Sequence, residues 1–220
     1  MTLTETLRDE HALIDQVLGA LRAYVGNLID GGGDPHDGTR FTAFFRVFVG
    51  HFHHAREEGV FFAALVREAK LPDDHGPLRA VAQEHAQMEA WLSEMLPLLV
   101  QRPRSDDDRA RLSALVTRYT HALWRHIDAE NSVLYPEGAE RLRLCGVYAL
   151  PDRPMTEAEA AARAEGAALL RRYPPVWDAT LVRGDGCFMC RAHGETCDGL
   201  EAEWWTDAEW DGFLAGDVSD

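Results

Sequence analysis

The sequence predicts an all-α fold, an antiparallel up-down-up-down four-helix bundle with a small C-terminal helical, Cys-rich appendage. Apolar residues recur at three- and four-residue steps in four long segments, as they do on the buried face of an amphipathic helix. Short loops rich in Gly, Pro and Asp separate these segments. The chain has 220 residues, of which 46% are hydrophobic. It can therefore fill one core of about 150 residues and still carry an appendage.

The first two predicted helices flank a glycine-rich loop. Aliphatic residues repeat at helical spacing from Leu3 to Leu28, and the loop at 31–38 ends this helix. The second helix is rich in Phe and is predicted over about Thr39–Lys70. The loop at 71–77 then breaks the helical pattern.

The third and fourth predicted helices each begin at an N-terminal signal. Pro77 is typical of the first turn of a helix, and the third helix runs from it to the loop at 101–108. Ser105, followed by three aspartates, is a strong N-cap for the fourth helix. Pro136 is expected to end or kink the fourth helix, because proline cannot donate the next backbone hydrogen bond.

The character of the chain changes after residue 147. We therefore predict a bundle domain over residues 1–147 and a C-terminal extension over residues 148–220. After a linker at 150–154, a T-x-x-E capping box that begins at Thr156 starts an Ala-rich helix reaching about Arg172.

The rest of the extension is a Gly/Cys segment and an acidic, Trp-rich tail. Thr206 and Glu209 form a second capping box in this tail. The tail is too short for a core of its own, so we expect it to pack on the bundle or to be held by a metal.

One pattern of histidines and glutamates occurs twice in the bundle. Each half is a lone histidine on one helix, followed by His-x-x-x-Glu on the next. Residues four apart lie on one face of a helix, so each pair can present a nitrogen and a carboxylate to one point. The lone histidines lie early in helices one and three, and the pairs lie late in helices two and four. In an antiparallel bundle these heights coincide. The six residues are His11, His53, Glu57, His85, His126 and Glu130.

These six side chains predict a two-metal site in the interior of the bundle. A single histidine on an apolar stripe is more often a core residue, but here four stripes each carry one. Two buried carboxylates without a cationic partner would be strongly destabilising, and few Lys or Arg residues share the stripes. Imidazole with a bridging carboxylate favours a pair of iron ions, while manganese and zinc also accept these donors.

Four segments resemble the hemerythrin-like, or HHE cation-binding, family. They are DEHALI (9–14), HHAREEGVFF (53–62), QEHAQM (83–88) and HIDAENSVLYP (126–136), and together they cover about residues 1–145. The resemblance implies a four-helix bundle that holds two non-haem iron ions, with oxygen, nitric oxide or peroxide as the reacting ligand. It also implies that the six residues of the repeated pattern are the iron ligands.

Three other residues stay open as ligands. His54 and Glu58 repeat the His53/Glu57 spacing about 100° further round the helix, although the family's H-x-x-x-E-E form favours the first pair. Oxygen-carrying members have another histidine one turn after the third-helix ligand, where this chain has Glu89. More carboxylate stabilises ferric iron, which favours redox chemistry over reversible oxygen carriage.

A cysteine-rich cluster in the extension is a second potential metal site, to which the family resemblance does not extend. Three thiolates and one imidazole suit a tetrahedral zinc ion, which would fix this glycine-rich segment. A redox-active pair of cysteines and unliganded thiols are the alternatives. The residues are Cys187, Cys190, His193 and Cys197.

The charge of the chain narrows its expected partners and location. It has 22 Lys and Arg against 37 Asp and Glu, a net charge of −15. Such a surface repels phosphate, so nucleic acid and anionic membranes are not expected partners. Neither a signal peptide nor an apolar run of roughly 20 residues is visible, so we expect a cytoplasmic protein. The oligomeric state stays open.

The functional expectation is a module that binds or senses oxygen, nitric oxide or peroxide. One alternative is a di-iron oxidase, oxygenase or peroxidase that acts on a small-molecule substrate, with the extension as a lid. Another is iron storage or iron donation. A pocket beside the iron wide enough for an organic molecule would favour the enzyme, whereas a closed site would favour gas binding.

Overall fold

The computed structural model describes residues 2–102, 105–181, 183, 204–209 and 211, and within these residues it is helical and contains no strand. The first helix, α1, spans Leu3–Ile29, and Thr2 and Glu5 form a capping box at its start. The prediction of an all-α fold is therefore confirmed.

The second helix, α2, is one continuous helical rod that changes its winding along its length. Its π-helical segments have a wider hydrogen-bond pattern, from residue i to i+5, which is frequent at functional sites. An α-helical turn at Ala55 and Arg56 separates the two π-helical segments. The successive segments are Pro35–Ala43 (α), Phe44–His54 (π), Glu57–Phe62 (π) and Ala63–Ala69 (α).

The third helix, α3, spans Gly76–Leu99 and contains Pro77 in its first turn. The fourth helix, α4, is again a rod of three segments, which are Asp106–Ala129 (α), Glu130–Leu134 (π) and Tyr135–Leu144 (α). Ser105 caps it as predicted, because its side chain accepts a hydrogen bond from the backbone N–H of Asp108 at 3.1 Å.

Of the two expectations for Pro136, a kink or an end of α4, the second is wrong, because the helix continues to Leu144. Pro136 lies in the first turn of the segment Tyr135–Leu144, where a missing backbone N–H is tolerated. The π-helical segment Glu130–Leu134 comes immediately before it. The change of winding thus accommodates the proline.

The four rods surround a long apolar core. Aromatic and aliphatic side chains fill most of it, and Tyr24 closes one part by donating a hydrogen bond to the carbonyl of Leu99 at 2.6 Å. Beyond this cluster lies a second apolar cluster, which includes Leu7, Phe61 and Leu134. The up-down order of the helices stays a prediction.

The extension contributes a fifth helix, α5, which spans Glu157–Arg172 and has the predicted capping box between Thr156 and Glu159. Its residue Gly166 lies so close to the bundle that an added Cβ would be 2.1 Å from Phe44. Further on, Trp204 is buried in the second apolar cluster. Both contacts place the described parts of the extension directly on the bundle. Among the described residues, no helix is long and apolar enough to cross a bilayer.

Candidate metal centre

Five histidines and two glutamates from the four rods meet in the buried interior. Their ligand atoms form two overlapping groups, and within each group all atoms lie within 4.8 Å of one another. The structure thus brings together all six residues of the repeated pattern and adds His54. The first group is His11, His53, Glu57 and Glu130, and the second is His54, Glu57, His85 and His126.

We call the first group position 1. The Nε2 atoms of His11 and His53 lie 2.9 Å apart. Glu130 Oε2 is 3.2 Å from His11 Nε2, and Glu57 Oε1 is 3.5 Å from His53 Nε2. Two donors bonded at right angles to one ion at about 2.1 Å are separated by about 3.0 Å. These spacings therefore fit a single ion held between the four side chains.

We call the second group position 2. The Nε2 atoms of His85 and His126 lie 3.0 Å apart. Glu130 Oε1 is 3.1 Å from His126 Nε2, and Glu57 Oε2 is 3.5 Å from His85 Nε2. The ring of His54 stacks on that of His85 with centroids 3.9 Å apart, and its buried Nε2 has no hydrogen-bond partner.

Glu57 and Glu130 each direct one oxygen to position 1 and the other to position 2. Both side chains are completely buried. Three of the four oxygens have no hydrogen-bond partner, namely Glu57 Oε2 and both oxygens of Glu130. Buried polar atoms are nearly always satisfied, so orphaned oxygens at these places fit two cations that share both carboxylates.

A family model described as the hemerythrin HHE cation binding domain matches residues 2–137. The chain belongs to the hemerythrin HHE family. The match covers the four rods up to the start of the last segment of α4 and leaves the C-terminal extension outside. No curated protein and no solved structure shows significant similarity to the chain. Membership of this family and the buried His/Glu groups together make the chain a cation-binding protein.

The outward-facing nitrogens of four histidines are hydrogen-bonded to oxygen atoms, as is usual for histidines that bind metals through the other nitrogen. The Nδ1 of His11 bonds to Asn131 Oδ1 at 2.9 Å and that of His53 to Glu10 Oε2 at 2.8 Å. The Nδ1 of His85 bonds to Glu58 Oε1 at 2.7 Å. The fourth bond joins His126 Nδ1 to Glu84 Oε2 at 2.8 Å.

These hydrogen bonds to Nδ1 determine the protonation of Nε2, the ring nitrogen that faces the centre. An ionised carboxylate only accepts hydrogen bonds, so Nδ1 of a neutral histidine carries the proton and Nε2 presents a lone pair. Within each position two Nε2 atoms then face each other across 2.9–3.0 Å. Two lone pairs at that distance repel unless a cation lies between them, and at position 2 the extra proton of His126 relieves this repulsion when no metal ion is bound. Each of the two groups of side chains in this hemerythrin-family chain can thus hold a cation.

Burial makes most of these imidazoles poor bases. It lowers the pKa of His53 and of His54 well below the ordinary histidine range, and neighbouring imidazoles lower it further. Burial also lowers the pKa of His85 to about 3, again with help from a neighbouring imidazole. These three side chains are therefore neutral and ready to coordinate at physiological pH.

When no metal ion is bound, the charges of His126, Glu57 and Glu130 shift one another's pKa values. Burial raises the pKa of Glu57 well above its usual range, and the charge of Glu130 adds to this effect. Burial acts in the same direction on Glu130, but the adjacent imidazole of His126 holds its pKa well below the usual range. Although burial opposes it, Glu130 in turn raises the pKa of His126. Cation binding must therefore displace protons from Glu57 and His126.

Tyr135 is a residue of the site that sequence reasoning missed. Its hydroxyl donates a hydrogen bond to Glu57 Oε1 and lies 3.4 Å from His11 Nε2. Its ring is parallel to that of His11, with centroids 5.4 Å apart. Burial raises the pKa of Tyr135 well above its ordinary value, so the hydroxyl keeps its proton. The available signal was its place five residues after Glu130, just past the π-helical segment.

The other potential ligands lie elsewhere. Glu58 is half exposed and bonds to the outer nitrogen of His85. Glu89 is half exposed, and it lies 3.3 Å from Arg46 instead of entering the centre. The predicted cysteine cluster of Cys187, Cys190, His193 and Cys197 lies outside the described residues.

A surface groove reaches position 2 from outside. It has a volume of about 430 Å³ and runs between α2 and α3. His54 and His85 form its inner end, Phe45 and Leu92 contribute apolar walls, and Glu58 lies at its rim. Position 1, with its buried histidines and Tyr135, is enclosed by comparison.

Proposed function

We propose that the chain is a non-haem di-iron protein whose centre binds or reacts with oxygen, nitric oxide or peroxide. The observation that supports this most is the pair of buried carboxylates, each with one oxygen toward each position. Bound iron would supply one-electron steps between the ferrous and ferric states. The residues of the chain then decide where a small ligand can bind and how it is held.

Iron is favoured over zinc by the number of donors. Position 2 offers five donor atoms, one from each of three histidines and one from each shared carboxylate. Zinc in structural sites is almost always four-coordinate and tetrahedral, so a five-donor set exceeds what it uses. Imidazole and carboxylate together suit six-coordinate iron.

The unequal donor counts point to position 1 as the place for a small ligand. It offers four donor atoms, from His11, His53, Glu57 and Glu130, and so leaves more of an octahedron open than position 2 does. The surrounding side chains are buried, which suits a diatomic molecule or peroxide better than an organic one. The Tyr135 hydroxyl, which donates its single proton to Glu57 Oε1, can rotate to donate it to such a ligand.

The test is iron content and ligand binding of protein purified without oxygen. We expect two irons per chain, and a near-ultraviolet absorption of an oxo-bridged pair after exposure to oxygen. His126→Ala should lose iron and this absorption together. His51→Ala, at an exposed histidine of α2, is the matched control and should retain both. A folded His126→Ala protein with full iron content and unchanged absorption would remove His126 from the centre.

A second candidate function is an oxidase, oxygenase or peroxidase with a small organic substrate. The groove that ends at His54 and His85 favours it, because it is large enough for such a molecule. Steady oxygen or peroxide consumption that rises with an added organic reductant would support the enzyme. Stoichiometric gas uptake without turnover would support the binding module.

A further inference from the structure

A chain of ionic contacts leads from the C-terminal extension to His53 at position 1. Its inner link is Glu10, which accepts the hydrogen bond from His53 Nδ1 at 2.8 Å. Glu10 also accepts hydrogen bonds from both terminal nitrogens of Arg56, at 2.8–3.0 Å. Arg56 is only 2% exposed. The guanidinium of Arg56 faces both carboxylate oxygens of Glu10 and so stabilises the ionised form of Glu10.

Arg56 is held on its other side by the linker of the extension. Its Nε, which has no hydrogen-bond partner, lies 3.5 Å from Asp152 Oδ1. The next residue, Arg153, lies over the ring of Phe52 at 4.9 Å, and Arg56 lies over the same ring at 3.9 Å. Phe52 is therefore fixed between one guanidinium from the bundle and one from the linker.

The linker is in turn fastened to the start of α5. Arg153 donates two hydrogen bonds to Glu159, at 2.7 and 2.8 Å. Glu159 is the acidic partner of Thr156 in the capping box of that helix. The contacts therefore run without a break from the N-terminus of α5, through Asp152 and Arg56, to the partner of His53.

The outer partners of the other histidines that face the two positions differ from Glu10. His11 bonds to a neutral amide, Asn131. The partners of His85 and His126 are glutamates of the bundle whose side chains are 47% and 44% exposed. Among these four outer partners, only Glu10, the partner of His53, is linked through the ion pairs of Arg56 to the extension. A change in the linker should therefore act on position 1 and spare position 2.

We propose that Asp152 is a positioning residue for position 1, and that the extension controls the cation there through Arg56 and Glu10. Asp152 holds Arg56 against Glu10, and Glu10 makes the Nε2 of His53 a stronger metal ligand by accepting the hydrogen bond from its Nδ1–H. Displacement of the linker would weaken His53 as a ligand without touching the centre itself. This inference rests on the proposed function, because it assumes that position 1 holds a cation.

The test uses the full chain and Co²⁺, whose binding is followed by its visible absorption under anaerobic conditions. We expect two binding steps in the unchanged protein. Asp152→Asn should weaken one step about tenfold, the lower end for losing an outer-layer partner, and leave the other within about twofold. Asp152→Glu keeps the carboxylate and should restore the affinity. Glu157→Gln removes a charge at an exposed position in the first turn of α5 and is the matched control.

A double-mutant cycle separates positioning from a general loosening of the extension. Glu10→Gln should weaken the same step, and Asp152→Asn should then add no further loss. The thermal unfolding of the cation-free protein should be the same with and without Asp152→Asn.

Equal weakening of both steps, no weakening, or a loss that persists in the Glu10→Gln background would overturn the inference. With two Co²⁺ ions still bound, those results would leave the proposed function standing. A folded chain that binds no Co²⁺ would overturn both.

Discussion

The two positions of the centre come from the same sequence pattern but are not equivalent. Position 1 takes two histidines, has Tyr135 beside it and is enclosed by buried side chains. Position 2 takes three histidines and lies at the inner end of a groove. A repeated motif on four helices thus builds position 2 with five donor atoms and position 1 with four.

Position 2 has one more histidine than position 1, and this extra ligand is His54, which directly follows His53 on α2. Glu57 follows both histidines on the same rod. Glu57 Oε1 lies 3.5 Å from His53 Nε2 at position 1, and Glu57 also belongs to the group that contains His54 at position 2. Two consecutive histidines and a following glutamate on one helix can thus supply ligands to both metal positions.

The largest effect is expected from removing a shared carboxylate. Glu57→Ala should abolish binding at both positions, because one oxygen of Glu57 faces each. Metal analysis after anaerobic purification should fall from two ions per chain to near zero. Its neighbour offers the matched control, since Glu58→Ala removes only an outer partner of His85 and should retain two ions with about tenfold weaker binding at position 2. Equal metal contents in the two variants would show that the positions do not share Glu57.

A smaller effect, confined to one position, is expected from His54→Ala. Loss of one of five donors should weaken position 2 by about 100-fold or more and leave position 1 nearly unchanged. Stepwise Co²⁺ titration would resolve the two. If both steps survived at full affinity, His54 would be a core residue that merely packs on His85, and the two positions would be equivalent after all.

The sequence predicted the four rods and six of the seven residues that meet in the centre, because helical spacing and the repeated motif carry that information directly. His54 stays an open alternative from the sequence because, on a uniform α-helix, the pairs His53/Glu57 and His54/Glu58 lie on different faces. In the structure His54 is grouped with Glu57, in a rod whose π-helical segments change the direction in which its residues face.

The other features that the sequence did not predict depend either on local backbone geometry or on contacts between distant parts of the chain. The sequence predicts that Pro136 ends or kinks α4, and a π-helical segment lies before it where the helix continues. Tyr135 lies directly after that segment and reaches position 1. The ion pair between Asp152 and Arg56 joins residues about a hundred positions apart, so no local sequence pattern predicts it.

The two positions should also differ in their dependence on pH. His126 has a raised pKa in the cation-free centre, so it carries a proton that a cation at position 2 must displace. Affinity at position 2 should therefore rise with pH, by about tenfold per unit for one released proton, until the pH exceeds that raised pKa. Glu57 is shared, so its proton leaves with the first cation to bind. Titration in weakly buffered solution with a pH indicator would measure both releases, and a pH-independent position 2 would contradict this assignment.

The smallest effect is expected at Tyr135. Tyr135→Phe removes a hydroxyl beside position 1, and a single hydrogen bond is worth about 1 kcal/mol, or roughly fivefold in affinity. Binding of azide or nitric oxide to the iron-loaded protein should weaken by about that factor, with iron content unchanged. Tyr119→Phe is the matched control, because Tyr119 is a buried tyrosine that borders the groove beside position 2. A larger loss of azide or nitric oxide binding in Tyr119→Phe than in Tyr135→Phe would place the small ligand at position 2.

The central claim is that two cations share Glu57 and Glu130. X-ray absorption of the iron-loaded protein measures this most directly, since each iron reports the distance to its neighbours. The account predicts nitrogen and oxygen donors at about 2.1 Å and a second iron at about 3.5–4 Å. A correctly folded chain whose iron shows no second metal within that range, or that takes up no iron at all, would contradict it.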